Sequence, residues 1–344
     1  MRPRLALLLL LLSAAACRPP AKAIKTTCPP LLAATAAEVQ PPAVPARPTP
    51  PAVFIRGATV WTAAGQVLKE TDVLVEEGLI KAMGQGLEAP HGALVLDGEG
   101  KHLTPGLIDA HSHIGVYPAP GGLLGHGDGN EVGKPLSPSM RAQDAVWPQD
   151  PALPRALAAG VTALHVVPGS ANLVGGEGMV IRPLPGRAAK DLLLARAPRT
   201  MKMACGENPK RVYAEKGGPF TRMGNVARVR AAFQQAREYA RGLKRHEEAL
   251  KRWKERREER CSGEGPARAG DKGQDDQPPA PPKVDHALAA LAGVLSGELR
   301  VHMHCYRADE MSLMLDLARS QGFTIAAFHH ATGAYKVRDL LQAA

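Results

Sequence analysis

His111 and His113 stand two residues apart, directly after Pro105-Gly106-Leu107-Ile108-Asp109-Ala110, an apolar run that reads as a buried strand. Side chains two apart on an extended backbone point to the same face. Two imidazoles so placed can reach one ion, and imidazole suits zinc and related divalent cations. Further imidazole pairs occur late in the chain, at His302 and His304 in Val301-His302-Met303-His304, and at His329 and His330 in Phe328-His329-His330-Ala331. Lys202, in Met201-Lys202-Met203-Ala204, is flanked by apolar strand residues, where burial penalises a free cation and favours a functional role. His165, inside the apolar strand Ala163–Val167, reads instead as a satisfied core histidine.

Something must position these groups, and the chain changes texture twice around them. From Val53 to Leu103, short β-favouring runs alternate with turns at Arg56-Gly57, Ala64-Gly65, Glu77-Gly78 and Asp97-Gly98, the pattern of a small antiparallel β-sandwich. Beyond Leu103 strands alternate with helices. The strands are expected at 105–110, 161–167, 199–204, 299–304 and 323–329, and the helices at 152–159, 225–260, 286–295, 308–320 and 336–342. Such alternation argues for a parallel barrel or a doubly wound sheet. Gly169-Ser170-Ala171-Asn172 and Gly175-Gly176-Glu177-Gly178 are expected to form a pocket-shaping loop. No Lys-Ser/Thr pair follows them, so they are not a phosphate loop.

The 344 residues suffice for one large domain and a small one, and 44% hydrophobic with 22% charged residues is ordinary for a globular chain. The net charge of +10 is partly local, since residues 241–260 hold nine Lys/Arg against five Glu. Aromatic residues are only 4% and do not interleave with a basic stripe, which argues against a nucleic-acid partner. At the start, Arg2 and Arg4 precede the apolar run Leu5–Leu12 and Ala14-Ala15-Ala16, a signal-peptide pattern over 1–17. Cys17 follows directly, so the leader resembles a lipoprotein signal and implies export to the periplasm or cell envelope, with a membrane attachment through lipidated Cys17. Residues 18–51 form a Pro/Ala-rich linker, and 261–283, within a charged insertion at 241–283, read as disordered. Cys205, Cys261 and Cys305 lie far apart, and no CxxC pair exists, so the thiols are expected to be isolated.

The run Leu103-Thr104-Pro105-Gly106-Leu107-Ile108-Asp109-Ala110-His111-Ser112-His113 closely resembles the amidohydrolase superfamily, in particular its imidazolonepropionase-like and prolidase-like branch. The resemblance runs through Gly160-Val161-Thr162 to the last residues, covering 53–344 apart from the insertion. It implies an α/β fold: a (β/α)8 TIM barrel of the metal-dependent hydrolase type at 104–344, with the metal at the carboxyl ends of the strands, and a small N-terminal β-sandwich at 52–103.

The family ligands then fall on His111 and His113, on His304 with His302 as alternative, and on His330 with His329 as alternative. A carboxylated lysine that bridges two ions would be Lys202, and Glu207 is its rival carboxylate. The implied cofactor is Zn2+, as one or two ions. Arg222, Tyr306 and Arg307 are expected to line the site of a small-molecule or peptide-like amide substrate. The resemblance implies hydrolysis of carbon–nitrogen bonds, in which the metal acidifies water and polarises the scissile carbonyl. An aspartate at the end of an eighth strand would complete the ligands and act as general base. Ala344 comes shortly after the sixth expected strand, so that aspartate, strands seven and eight and the end of the sandwich are expected to lie outside the chain, which reads as truncated. The competing expectations are an inactive remnant and an anchored envelope binding module that uses the charged stretch at 241–260.

Overall fold

A computed structural model describes residues 52–121, 127–184, 186–262 and 277–344. The leader with Cys17, the linker and residues 263–276 of the insertion lie outside these residues. The chain divides into two compact units. Of the described residues, one comprises 52–247 with 280–344 and the other 248–262 with 277–279. All residues of the site described below belong to the first.

That unit opens with a five-stranded sheet of β1 (Val53–Trp61), β2 (Val67–Glu76), β3 (Leu79–Gly84), β4 (Leu94–Asp97) and β5 (His102–Leu103). The order is β3-β2-β1-β4, with β5 also on β1. Strands β1, β2 and β3 are antiparallel, whereas β4 and β5 run parallel to β1. The expected antiparallel sandwich is thus, among the described residues, one mixed sheet. The connection 85–93 crosses to the far side of β1 instead of closing a hairpin, and a crossover brings the next strand in parallel. The buried Asp72 carboxylate anchors it, accepting from Gly57 N at 2.9 Å and Leu87 N at 3.0 Å.

The larger sheet has six strands in the order β11-β10-β9-β8-β7-β6. They are β6 (Leu107–Ser112), β7 (Val161–Val166), β8 (Val174–Ile181), β9 (Arg199–Ala204), β10 (Leu299–Cys305) and β11 (Ile325–His330). The helices are α1 (Ala152–Ala158), α2 (Ala189–Leu192), α3 (Glu207–Tyr213), α4 (Arg222–Ser262), α5 (His286–Leu295), α6 (Ala308–Gln321) and α7 (Arg338–Gln342). None of these is long and apolar enough to cross a membrane. Strands β6 and β7 are parallel, as are β9, β10 and β11. Strand β8 is antiparallel to both its neighbours.

Strand β8 corrects the expected Gly-rich loop. Two of its glycines serve close packing: a Cβ on Gly178 would lie 2.6 Å from Thr200 Oγ1 and 3.1 Å from His165 Nε2, and one on Gly176 would lie 2.4 Å from Met140 O. A second correction concerns β6. Expected to be buried, it leaves Ile108 74% exposed, since β6 pairs on one side only among the described residues.

Alternation sorts the central strands into two chemistries. Met201, Met203, Val301, Met303 and Cys305 pack into the core with Phe233 of α4 and Met311, Met314 and Leu317 of α6. Burying each such side chain contributes about 1.5–3 kcal/mol. The intervening residues point the other way, with Lys202 paired across the ladder to His302 and Ala204 to His304.

Candidate metal centre

The end of β6 delivers His111, and His113 follows one residue past it. His113 Nδ1 donates to Val167 O at 2.7 Å, leaving its Nε2 as the lone-pair nitrogen. That Nε2 lies 3.1 Å from His111 Nε2. Two nitrogens bonded to one tetrahedral ion at 2.0–2.1 Å stand about 3.3 Å apart, so this spacing fits a shared cation. Tyr117 flanks the pair with its ring 5.3 Å from that of His113.

The end of β11 approaches from the opposite side. On a regular strand His329 and His330 would face opposite sides, yet both rings meet His111, at 4.5 and 4.8 Å. The reason is a tight turn. His330 has φ +64, and Ala331 N donates back to His329 O at 2.8 Å, closing three residues around it. A side chain in this left-handed region costs about 1–3 kcal/mol, which such turns spend mainly at functional sites.

His304, buried at the end of β10, completes the rim. Its ring lies 4.9 Å from His330 and 4.5 Å from Tyr306. Asn208 Nδ2 sits 3.2 Å from His304 Nε2, and His304 Nδ1 is buried with no hydrogen-bond partner. Because an amide nitrogen only donates, this contact leaves the proton of a neutral His304 on the orphaned Nδ1; His304 would ligate a metal through Nε2, with the ion replacing the Asn208 donor.

Lys202 occupies the floor between these rings. It is 1% exposed, and its ammonium finds one acceptor, Pro168 O at 3.0 Å. Burial without a counter-ion pushes it down to about 7. Burial, helped by the nearby Lys202 charge, lowers His111 and His329 to about 3. Burial likewise lowers His302 and His304 to about 4. The rings are therefore neutral at pH 7, the form that ligates metal.

His165 is the satisfied core histidine the sequence suggested, donating Nδ1–H to Ala110 O at 3.2 Å and accepting from Thr200 Oγ1 at 2.9 Å. Glu207 does not join the imidazoles; it pairs with Arg222 at 3.2 Å, and Arg222 also holds the buried Glu310. Arg222 is thus occupied in a structural network. Arg307 forms an exposed pair with Asp309, at 2.9 Å. Of the three substrate-lining candidates, only Tyr306 touches the imidazoles. A cleft of about 460 Å³, lined by Val116, Asn130, Glu131, Met140, Arg141 and Pro168, adjoins the Lys202 acceptor.

Sequence reasoning missed two features. Asn208 follows β9 with no motif to mark it. The larger miss is a disulfide between Cys205 and Cys305, whose Cα atoms are 5.3 Å apart. It corrects the expectation of isolated thiols: the ladder of β9 and β10 brings together residues 100 positions apart. With Glu310, these sulfurs are the one set of three metal-ligating side chains among the described residues whose atoms all lie within 4.8 Å of one another. The disulfide bond and the Arg222 ion pair occupy those atoms. The imidazoles lie in a file of touching pairs, His113–His111–His330–His304, not in one such sphere.

No protein-family profile matches the chain. An amidohydrolase of Hapsidospora irregularis, tasK, is 37% identical across 84% of the chain. The chain spans only 30% of that relative's length. A dihydroorotase of Geobacter sulfurreducens is 45% identical over 62 residues, 18% of the chain and 15% of the enzyme. Among solved structures, an amidohydrolase from Thermotoga maritima superposes with a TM-score of 0.68 at 35% identity, covering 84% of this chain and 67% of that one.

Proposed function

We propose that this chain, which belongs to the amidohydrolase superfamily, carries the metal centre of a hydrolase acting on carbon–nitrogen bonds. The carrying observation is the convergence of His111, His113, His304 and His330 from β6, β10 and β11 around buried Lys202. His111 and His113 would hold one divalent ion through their facing Nε2 atoms, and His304 and His330 would hold another; zinc suits this donor set. A bound ion of this kind acidifies water and polarises a carbonyl.

Lys202 is the better bridging candidate than Glu207, which is committed to Arg222. With its amine near neutrality at about 7, Lys202 Nζ has a free electron pair at pH 8 to attack carbon dioxide. An N–C bond forms, a proton leaves to solvent, and the product is a carboxylate between the imidazole pairs. The substrate would be a small molecule or peptide-like amide entering by the cleft beside Pro168.

The test is to load the full chain with zinc and bicarbonate, measure metal per chain, and assay linear amides, cyclic amides and dipeptides. Bound zinc that His111→Ala and His113→Ala abolish, together with hydrolysis, supports the proposal. Zinc without turnover indicates a binding remnant. Zinc uptake unchanged by both substitutions overturns the metal centre.

We also propose export from the cytoplasm, with lipidation at Cys17. The leader pattern supports it, and so does the Cys205–Cys305 bond, because disulfides persist in oxidising compartments. Mass spectrometry of the mature amino terminus checks both.

A further inference from the structure

Behind His111 lie two imidazoles that the proposed ligand set does not use. His329 Nδ1 is 2.7 Å from His111 Nδ1, and His329 Nε2 is 2.9 Å from His302 Nδ1. With His113, these rings form one hydrogen-bonded file that ends on Val167 O. A neutral imidazole has one N–H and one lone pair, so the tautomer of any ring dictates that of the next. A carbonyl only accepts, which settles His113 as the Nδ1–H form.

Two arrangements of the remaining protons satisfy both contacts of His329; they differ at the 3.1 Å contact between His111 Nε2 and His113 Nε2, which has a proton in the first and two facing lone pairs, a place for a cation, in the second. In the first, all donors run toward Val167: His302 Nδ1–H to His329 Nε2, His329 Nδ1–H to His111 Nδ1, and His111 Nε2–H to His113 Nε2. In the second, the outer three reverse: His111 Nδ1–H donates to His329 Nδ1, and His329 Nε2–H donates to His302 Nδ1. Only the second leaves a lone pair on both His111 Nε2 and His113 Nε2. The file stops at His302, because the next ring, His165 at 4.5 Å, has both nitrogens engaged by Ala110 and Thr200.

We propose that His329 and His302 are positioning residues that set the tautomer of His111, and that metal binding at His111 and His113 switches His329 and His302 together from one arrangement to the other. The inference rests on the metal-centre reading above. It assigns His329 and His302 a role distinct from ligation: His329 accepts a hydrogen bond from the Nδ1–H that His111 must carry to present Nε2, and His302 accepts the next one, from His329 Nε2–H. Outer partners of this kind change metal affinity about 10–100-fold when removed.

The test is long-range proton–nitrogen correlation spectroscopy of the full chain with 15N-labelled histidine, titrated with zinc chloride. The expected result is that His302 moves from the Nδ1–H to the Nε2–H tautomer as His111 and His113 bind zinc, without itself becoming a ligand. His302→Phe should weaken zinc binding about 10-fold or more, and His302→Asn, whose amide reaches the Nδ1 position, should restore part of it. Zinc that perturbs His111 and His113 while the His302 tautomer stays fixed overturns this inference alone. Zinc that perturbs neither His111 nor His113 overturns the metal-centre reading beneath it.

Discussion

Cys205 and Cys305 tie together the carboxyl ends of β9 and β10, and each directly follows a residue of the inward face, Ala204 and His304. The bond therefore closes a loop of 100 positions right beside the imidazole rim. Replacing both cysteines by alanine should lower the unfolding free energy by about 2–5 kcal/mol, since a loop this long restrains the unfolded chain strongly. Urea denaturation measures it. Wild-type protein held under a dithiol reductant should unfold at the same urea concentration as the variant.

Lys202 should show itself in the pH dependence of stability. Its folded value, about 7, lies below that of a free lysine, so between pH 7 and about 10 the unfolded chain holds a proton that the folded chain has released. Stability then rises with pH across that window, by up to about 1.4 kcal/mol per pH unit. Lys202→Met, which keeps the buried volume apolar, should remove this slope. Denaturation curves at pH 7, 8 and 9 for both proteins decide it.

The imidazoles act on the acid side. His111, His329, His302 and His304 are all depressed to about 3 or 4 in the folded chain. As pH falls below 6.5, unfolded histidines take up protons that the folded ones refuse, so stability present at neutral pH is lost on the way to pH 4. Metal-free protein should lose stability between pH 6.5 and 5, before most carboxylates titrate. His329→Phe should flatten that loss, and an unchanged slope would show that His329 titrates normally.

Arg222 should prove structural. It pairs with Glu310, which is 4% exposed and also lies within 3.6 Å of Cys205 Sγ. Arg222→Ala leaves that carboxylate buried without its cation, at an expected loss of about 1–3 kcal/mol, below the cost for a fully buried pair because the Arg222 side chain is 36% exposed. Adding Glu310→Gln should recover part of the loss. Zinc binding per folded chain should be unaffected in both variants, because neither residue touches the imidazoles.

The local grammar of the chain was enough for much of this. The two-residue spacing of His111 and His113, the apolar run before them and the alternation about Lys202, His302 and His304 dictate which side chains share a face, because strand geometry has a period of two. The break at Gly160 and the long helix from Arg222 follow equally from residue type and spacing.

Other features depended on which strands became neighbours. The Cys205–Cys305 bond needed the ladder between β9 and β10, and Gly178 of β8 looks like a loop residue until Thr200 and His165 leave no room for a side chain. The roles of paired histidines were likewise undecided along the chain. Only the turn at His330, with its positive φ, brings both His329 and His330 onto His111, and only the contact with Val167 O fixes which nitrogen of His113 carries the proton. Spacing along a backbone determines direction, but a lone pair and its partner meet across distances that no local pattern encodes.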